Sequence, residues 1–223
     1  MAEICIRRNN DDICKNKTSD KTADQHGRGY TEKESVKELV QFERYCRDNA
    51  LWEEMDRCYT ADSQIIISWF HGTGHEFVEA SKKMAGRAPH KIYNTQVWLH
   101  GERAVAVMIT TIQKRVELDG VLLELNSDAK LVFRLRKEDG MWFIAGMEGV
   151  YEKDSLTPVV PAGGFTLPKQ ALTEFRESYG CLAWVLSRSG YEIDGELPGI
   201  DRPDLVDAFF KKTEEWLNQD LTQ

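Results

Sequence analysis

The 223-residue sequence has no surplus of positive charge, since 29 Lys and Arg stand against 37 Asp and Glu, a formal net charge of −8. Nucleic-acid binding depends on clustered Lys and Arg that contact phosphates, so this balance argues against a nucleic-acid partner. The longest strongly apolar runs, such as Ile65–Phe70 and Ala104–Ile109, are far below the roughly 20 residues that span a bilayer. The N-terminus also lacks the apolar stretch of a secretory signal. We therefore expect a cytoplasmic protein with no membrane partner.

Motifs for the common cofactors and metals are also missing. The five cysteines are odd in number and have no CxxC spacing, which predicts free thiols in a reducing compartment and argues against a zinc site. His71 and His75 have a spacing that could hold zinc on a helix, but Gly72 and Gly74 would break that helix, and no HExxH motif is present. The sequence contains no GxGxxG, P-loop or GxSxG pattern. We therefore predict neither a metal nor a cofactor.

The chain is 41% hydrophobic and 10% aromatic, which is sufficient for a packed core. Residues 1–30 are polar and lack periodicity, so they are predicted to form a disordered tail. A helix is expected to begin near Thr31, where Glu34 completes a capping-box pattern. A second, short helix is expected over Ala50–Cys58. The N-terminal part of the folded domain is thus predicted to be helical.

The middle of the chain is predicted to form a sheet. Gln64–Phe70 is β-branched and aromatic and indicates a buried strand, followed by a turn at His71–Gly74 and a helix over Glu76–Ala85. Four long runs with short, glycine-containing connections then predict an antiparallel meander; they are His90–Leu99, Arg103–Glu117, Leu122–Arg136 and Met141–Glu152. Helices followed by such a meander indicate an α+β fold, a cone-shaped curved antiparallel sheet wrapped on the N-terminal helices.

Residues 156–223 form a predicted helical extension beyond the sheet. Helices are expected over about Lys169–Ser189 and Arg202–Gln219, the second with an N-cap at Asp201. Apolar and aromatic positions in this segment, such as Trp184 and Phe210, are too numerous for a free tail. The extension is therefore expected to pack on residues 31–155 or on a partner subunit.

Five short motifs in a fixed order resemble one protein superfamily. They are Asp48 four residues before Trp52, Thr60-Ala-Asp62, His90 four residues before Asn94, Gly101-Glu-Arg-Ala104, and Asp139-Gly-Met-Trp142-Phe-Ile144. Over about residues 35–153 the sequence resembles the SnoaL-like branch of the nuclear transport factor 2-like superfamily, which includes scytalone dehydratase and relatives of bile-acid 7α-dehydratase. The resemblance implies a cone with a hydrophobic pocket and an outer sheet face that commonly forms homodimers or homotrimers.

The resemblance also implies a catalytic pair, Asp48 and His90, pointing into the cone. Elimination of water needs a base for the carbon-bound proton and an acid for the leaving hydroxyl, and histidine can serve as either near neutral pH. A carboxylate bonded to the other ring nitrogen would fix the tautomer and favour the imidazolium. The alternative is that Asp48 only caps the next helix and that His90 merely begins a strand.

Further polar residues are candidates for substrate binding. Asn94 shares a strand face with His90 if the strand is regular, although the opposite face is an equally good candidate for the core. Tyr45 lies one turn before Asp48 and could donate to a substrate oxygen, and Trp69 could contribute an apolar wall. The remaining candidates lie on the later strands; they are Gln113, Asn126 and Arg134.

Two acidic residues depart from the family pattern. Glu43 stands where the family usually has a tyrosine, and it is expected to be either a pocket acid or solvent-exposed. Glu148 stands where many relatives have a basic residue, which favours a neutral or apolar substrate.

The sequence supports a cofactor-independent lyase or isomerase of secondary metabolism acting on a hydrophobic, polycyclic small molecule. Two alternatives remain open, a cyclase and a non-catalytic carrier of small ligands. An Asp48–His90 pair with perturbed pKa values inside a closed cavity would favour the enzymes, and a pair that faces solvent would favour the carrier.

Overall fold

The computed structural model describes residues 23–161, 166 and 172–219. The N-terminal part of the described chain contains three helices, α1 over Ala23–Asp48, α2 over Trp52–Asp56 and α3 over Gly74–Lys82. Two more helices follow the sheet, α4 over Gly180–Arg188 and α5 over Pro203–Asn218. None of the helices in the described ranges is both long and apolar enough to cross a membrane.

Six strands form one curved sheet in the order β2-β1-β6-β5-β4-β3. Their bounds are β1 Tyr59–Ile67, β2 Phe70–Gly72, β3 His90–His100, β4 Arg103–Leu118, β5 Val121–Glu138 and β6 Met141–Pro158. The strands β3 to β6 form the predicted antiparallel meander. The sheet as a whole is mixed, because β1 pairs with β6 in parallel, so the prediction of a purely antiparallel sheet is wrong at this one pairing.

Two Asp-Gly pairs set the tight turns of the meander. Asp119 and Gly120 have φ values of 50° and 76°, and Asp139 and Gly140 have φ values of 50° and 80°. Two consecutive residues in the left-handed region match the right-handed twist of an antiparallel hairpin, and glycine adopts this region without steric cost. The glycine-containing breaks in the sequence therefore predicted these two turns correctly.

Three predicted boundaries are corrected by the structure. The helix α1 begins at Ala23 rather than at Thr31, so the predicted tail of residues 1–30 includes helical residues, and residues 1–22 lie outside the described ranges. The strand β1 begins at Tyr59, and part of the predicted turn at His71–Gly74 is the short strand β2. The capping box forms instead at α3, where Thr73 and Glu76 bond to each other's backbone N–H groups.

The inner face of the sheet packs against α1, α2 and α3. The side chains buried in this layer are apolar and come from both the helices and the sheet; they include Val36, Val40, Phe77, Ile65, Met108, Phe133 and Met147. At the other end of the same face, α4 packs against Leu123, Leu125 and Tyr151. The core therefore leaves room for a cavity where α1, α3 and α4 approach the same part of the sheet.

The outer face of the sheet is covered in part by α5. Phe209, Phe210 and Leu217 pack against a patch of four valines; the valines are Val105, Val107, Val132 and Val150. The C-terminal extension thus packs on its own chain, through α4 on one face and α5 on the other. A homodimer or homotrimer stays a prediction. A contact between subunits through the outer face would involve either α5 or the part of the face that α5 leaves uncovered.

Two details of the extension differ from expectation. The described part of the predicted helix over Lys169–Ser189 is a short 3-10 turn, Glu177–Tyr179, followed by α4, and residues 167–171 lie outside the described ranges. The N-cap of α5 is Arg202 rather than Asp201, and it makes no side-chain capping bond. The Asp201 carboxylate instead accepts hydrogen bonds from Arg176 at 2.6 and 3.1 Å.

The cysteines that the structure describes are free thiols, Cys46, Cys58 and Cys181. This agrees with the expectation from their number and spacing, while Cys5 and Cys14 fall outside the described ranges. Burial raises the pKa of the Cys58 thiol to about 12, so this side chain behaves as a small apolar core residue rather than as a nucleophile.

Candidate active site

A cavity lies between the inner sheet face, α1, α3 and α4. Most of the lining is apolar; these side chains include Ile67, Trp69, Phe77, Ile112, Leu131, Met147, Leu182 and Leu186. Trp69, predicted from the sequence as a substrate contact, is thus part of the wall, in the turn between β1 and β2.

The extension supplies one wall of this cavity. Leu182 and Leu186 lie one turn apart on α4 and face the opening between α1 and the sheet. Residues four apart on a helix share a face, so a single apolar stripe of α4 contributes both side chains. The cavity is therefore not formed by the cone domain alone.

Asp48 and His90 meet at the edge of the cavity. Asp48 is the last residue of α1 and His90 is the first residue of β3. The Asp48 Oδ1 atom lies 2.9 Å from His90 Nδ1, and Asp48 Oδ2 accepts the backbone N–H of His90 at 2.7 Å. The His90 side chain is 5% exposed and that of Asp48 is 14% exposed. The contact with Asp48 orients the imidazole through Nδ1 and leaves Nε2 outside this bond, and His90 is part of the cavity lining.

Burial sets the protonation state of this pair. Desolvation lowers the pKa of His90, and the neighbouring guanidinium groups of Arg44 and Arg47 lower it further, which together outweigh the effect of Asp48. Burial alone would raise the pKa of Asp48, but the hydrogen bonds from His90 bring it below its usual value. The pair is therefore a carboxylate and a neutral imidazole at neutral pH. Asp48 does favour the imidazolium, as expected, but burial and the two guanidinium groups outweigh its effect.

The tautomer of His90 follows from this charge state. An ionised carboxylate can only accept hydrogen bonds, so Nδ1 must carry the proton that it donates to Asp48. The other nitrogen, Nε2, then has a free lone pair. The arrangement can take up a proton at Nε2, as a general base does.

Glu43 belongs to a closed network behind the pair. Its carboxylate is fully buried and accepts hydrogen bonds from the guanidinium of Arg44 and from the phenol of Tyr59. Glu43 is therefore neither a pocket acid nor solvent-exposed, which corrects both expectations. Its charge is balanced by Arg44, so this network holds the end of α1 in place.

The cavity lining includes three cationic side chains that were not anticipated from the sequence, Arg44, Arg47 and Lys114. Arg47 precedes Asp48 on α1, and Lys114 lies two residues after Ile112 on β4. Both side chains line the cavity. The Arg47 Nε atom is buried without a hydrogen-bond partner. The Lys114 ammonium donates to the Ala85 carbonyl at 2.6 Å and Lys114 is 8% exposed.

Tyr151 is a further cavity residue that was not anticipated. Its phenol oxygen accepts the backbone N–H of Ser68 at 2.9 Å, and its ring stacks on Tyr179 with centroids 4.5 Å apart. Burial raises the pKa of Tyr151, so it stays protonated. Since its oxygen is the acceptor for Ser68, its own proton is available to a ligand.

Asn94 lies outside the cavity, contrary to the prediction. The register of β3 against β4 shifts between Ile92 and Asn94, so that Tyr93 is an extra residue. One inserted residue reverses the alternation of faces. His90 therefore faces inward, whereas after the bulge Thr95 and Val97 face inward and Asn94 is exposed beside Tyr93.

The other predicted substrate contacts also lie elsewhere. Tyr45 is 58% exposed on the solvent side of α1. Gln113 and Asn126 bond to each other at 2.6 Å on the outer face of β4 and β5. Arg134 bonds there to Glu148 at 2.6 Å. Glu148 therefore does not face the cavity, and its acidity carries no information about the substrate's charge.

His71 and His75 do not share a ligand, because each pairs with a different carboxylate. His71 Nε2 lies 3.0 Å from Asp194 Oδ2, and His75 Nδ1 lies 3.1 Å from Asp56 Oδ1. Among the residues with described placement, no group of three or more His, Cys, Asp or Glu side chains could hold a metal ion. These two pairs tie surface segments together.

Comparison with known proteins finds fungal relatives along most of the chain. An uncharacterized protein of Emericella nidulans is 24% identical over 205 residues, covering 84% of this chain and 86% of that protein. Pea pathogenicity protein 2 of Fusarium vanettenii is 25% identical over 178 residues, covering 77% of this chain and 76% of that protein. No protein-family model matches the chain. These matches cover more of the chain than residues 31–155 contain, so part of the similarity lies outside the cone domain.

Among solved structures, the chain resembles the hexachlorocyclohexane dehydrochlorinase LinA. A type 2 form has a TM-score of 0.50 and 14% identity, and the match covers 65% of this chain and 98% of that chain. A second LinA structure has a TM-score of 0.50 and 12% identity. Identities this low establish the fold and leave the reaction open. The chain has a nuclear transport factor 2-like fold, as the sequence motifs predict.

Proposed function

We propose that the protein is a cofactor-independent lyase that eliminates water from a hydrophobic small molecule by general acid–base catalysis. The observation that carries the proposal is the Asp48–His90 pair, a neutral imidazole fixed by a carboxylate at the wall of an apolar cavity. Perturbed titratable pairs of this kind are concentrated at catalytic sites. A carrier of small ligands would have no use for a buried base.

In the proposed reaction, His90 Nε2 removes a proton from a carbon next to a carbonyl group. The electron pair of that C–H bond forms the new C=C bond, and the hydroxyl on the neighbouring carbon leaves with its bonding pair. A proton joins this hydroxyl to give water, so atoms and charge balance. The leaving group accepts its proton from the His90 imidazolium formed in the first step, which returns His90 to its neutral form.

Tyr151 is proposed to act on the substrate oxygen. Its phenol is protonated and buried at the cavity wall, and Ser68 N–H fixes its oxygen at 2.9 Å. A phenol in this position can donate a hydrogen bond to a carbonyl oxygen on which negative charge develops. The substrate would thus lie between His90 and Tyr151, against the side chain of Trp69.

LinA shares this fold and provides a precedent for elimination. LinA is named a dehydrochlorinase, so it removes the elements of HCl rather than of water. Both reactions take a proton from carbon and lose a group from the next carbon. Isomerisation and cyclisation would also use a base at His90, and loss of the β-substituent is the step that separates elimination from both.

The proposal is tested by assaying the full chain against hydroaromatic β-hydroxy ketones in the presence of a metal chelator. Elimination is expected to appear as growth of the absorbance of an α,β-unsaturated carbonyl. A β-methoxy analogue and the parent ketone without a β-substituent serve as controls. Proton exchange without elimination on every β-hydroxy ketone would favour an isomerase, and binding without exchange or elimination would favour the carrier.

The pH dependence of turnover follows from the state of His90. Because the pKa of His90 is lowered below 6.5, the imidazole is neutral and active at pH 7, and activity is lost as the pH falls through the lowered value. We expect kcat/KM to be constant from about pH 7 to 8 and to decline on the acid side with a midpoint below the ordinary histidine value. A stopped-flow pH profile measures this. An acid limb centred above 6.5, or activity that rises on acidification, would contradict a neutral base.

The replacement Tyr151→Phe is expected to lower kcat by about 10²-fold, because it removes one preorganised donor to the developing charge. Steady-state kinetics on the substrate found in the panel measures the loss. Tyr179→Phe is the matched control, since Tyr179 stacks on Tyr151 but donates to the Asp194 carbonyl at 2.7 Å. This control is expected to affect stability rather than kcat. Full turnover in Tyr151→Phe would remove Tyr151 from the mechanism.

A further inference from the structure

The charges that line the cavity are unbalanced among the residues that the structure describes. Three fixed cations face it, Arg44, Arg47 and Lys114, and no carboxylate is part of its lining. Two carboxylates lie directly behind, Glu43 bonded to Arg44 and Asp48 bonded to His90. With His90 neutral, one positive charge in this region is left without a counter-charge.

Arg47 is only weakly paired. Its side chain is 9% exposed, and its Nη1 atom forms an ion pair with Asp48 Oδ1 at 3.8 Å, which is too long for a hydrogen bond. Its Nη2 atom reaches only the Met84 sulfur at 3.6 Å, and its Nε has no partner. Desolvation, with Arg44 close by, lowers the pKa of Arg47 to about 10. Most of the hydrogen-bonding capacity of this guanidinium is therefore unused.

Lys114 lies close enough to Arg47 to feel its charge. Burial lowers the pKa of Lys114, and the guanidinium of Arg47 lowers it further. Among the described residues, its hydrogen-bond partner is the Ala85 carbonyl at 2.6 Å, although an ammonium group has three N–H donors. A neutral carbonyl does not compensate the charge. Two neighbouring buried cations thus have free donors in the same cavity.

We propose that Arg47 and Lys114 form a subsite for a single carboxylate group on an otherwise apolar substrate. This deepens the proposed function, because it names the substrate class of the same cavity, and it replaces the neutral substrate expected from Glu148. Burying an excess of positive charge is costly until a counter-charge binds. A carboxylate would accept from the guanidinium and from the ammonium, and would neutralise the excess positive charge.

A permanent anion fits these residues better than a charge that forms only during the reaction. The excess charge is present in the free protein, so a ground-state carboxylate would relieve it on binding, whereas an enolate would exist only for the duration of a step. The developing oxygen charge is already served by Tyr151. The subsite therefore governs substrate affinity and orientation, and the reacting end lies at His90.

The inference is tested by equilibrium binding of matched pairs of aromatic probes, 2-naphthoate with 2-naphthamide and biphenyl-4-carboxylate with its amide. Each pair has the same apolar body, and only the carboxylate is charged. We expect at least one carboxylate to bind about tenfold or more tightly than its amide, which corresponds to about 1.4 kcal/mol. In Lys114→Met, and separately in Arg47→Met, this ratio is expected to fall towards one. Calorimetry on the full chain measures both.

Lys130→Met is the control variant, since Lys130 lies on the outer sheet face paired with Glu152. It is expected to keep the wild-type ratio. The proposal is overturned if no carboxylate binds more tightly than its amide, or if the preference survives in both cavity variants. Binding requires no turnover, so a preference that is present while no β-hydroxy compound reacts would leave the subsite standing and count against the lyase.

Discussion

His90→Ala is expected to lower kcat/KM by at least about 10²-fold while the fold survives, because the base that removes the carbon-bound proton is lost. Asp48→Asn is expected to cause a loss of similar size. An amide at this position can donate to Nδ1 as well as accept from it, so the tautomer that leaves Nε2 free is no longer fixed. Steady-state kinetics measure the loss of activity, and circular dichroism checks that the variants are folded.

A surface pair of the same residue types provides the control. His75 Nδ1 lies 3.1 Å from Asp56 Oδ1, with the His75 side chain 70% exposed. His75→Ala and Asp56→Asn remove the same chemical groups outside the cavity, and we expect them to leave kcat/KM within about twofold of the parent. Unchanged turnover in His90→Ala would rule out the proposed mechanism, whatever the fate of Asp48→Asn.

Deletion of residues 157–223 is expected to give an insoluble or unfolded protein. It uncovers the valine patch on the outer face, which α5 covers through Phe209 and Phe210, and it removes Leu182 and Leu186 from the cavity wall. Each large apolar side chain contributes about 1.5–3 kcal/mol on burial. Several such losses equal the whole stability of a typical domain, about 5–15 kcal/mol. Soluble yield and light scattering measure the result.

A single replacement in α5 tests the same contact in a chain that still folds. Phe210 is 6% exposed, so Phe210→Ala is expected to lower the free energy of unfolding by about 3–5 kcal/mol. The adjacent Lys211 has a side chain that is 74% exposed, so Lys211→Ala is expected to change it by less than about 0.5 kcal/mol. A soluble, fully active truncation, or equal stability of the two point variants, would show that α5 is dispensable.

The sequence predicted the fold because its main signals are local. Long alternating runs separated by Asp119-Gly120 and Asp139-Gly140 are sufficient to define β4, β5 and β6 and their tight antiparallel turns. The parallel pairing of β1 with β6 joins segments about 80 residues apart in the sequence. No local sequence pattern indicates that β1 and β6 are neighbours, so only the structure shows this pairing.

The start of α1 was missed for a different reason. Residues 23–30 contain no apolar stripe, and Thr31 with Glu34 has the pattern of a capping box. The helix continues through that pattern and reaches back to Ala23. Glu32, just after the missed segment, accepts hydrogen bonds from Lys137 and Trp142 at 2.6 Å, and no local sequence pattern indicates these contacts with β5 and β6.

The sequence predicted part of the site. Gln113 and Asn94 were misplaced because the inward face of their strands could not be identified from the sequence. Both faces of β4 are apolar over Ala104–Met108, since α5 covers the outer one. Alternation therefore could not tell which face is inward, and Gln113 was chosen where Ile112 and Lys114 face the cavity. At β3, a single bulge reversed the face of Asn94. Asp48 and His90 were found because a family motif supplied the pairing that spacing alone could not.

Arg47 could have been found from its neighbour. It precedes Asp48, the most strongly marked residue of the motif, and it lies three residues after Arg44 on the same side of α1. The sequence offered no means to recognise that Glu43 would neutralise Arg44 and leave Arg47 with only a long ion pair to Asp48. The balance of buried charge is a property of the packed structure rather than of any segment.

Exchange of carbon-bound hydrogen tests the central claim most directly, since it reports the base without requiring a leaving group. The full chain and its His90→Ala variant are incubated in D₂O with a hydroaromatic ketone that carries a carboxylate, and deuterium at the carbon next to the carbonyl is followed by NMR. The account predicts exchange catalysed by the parent protein and reduced at least about 10²-fold in the variant. Equal exchange rates in the two proteins with bound ketone would contradict it.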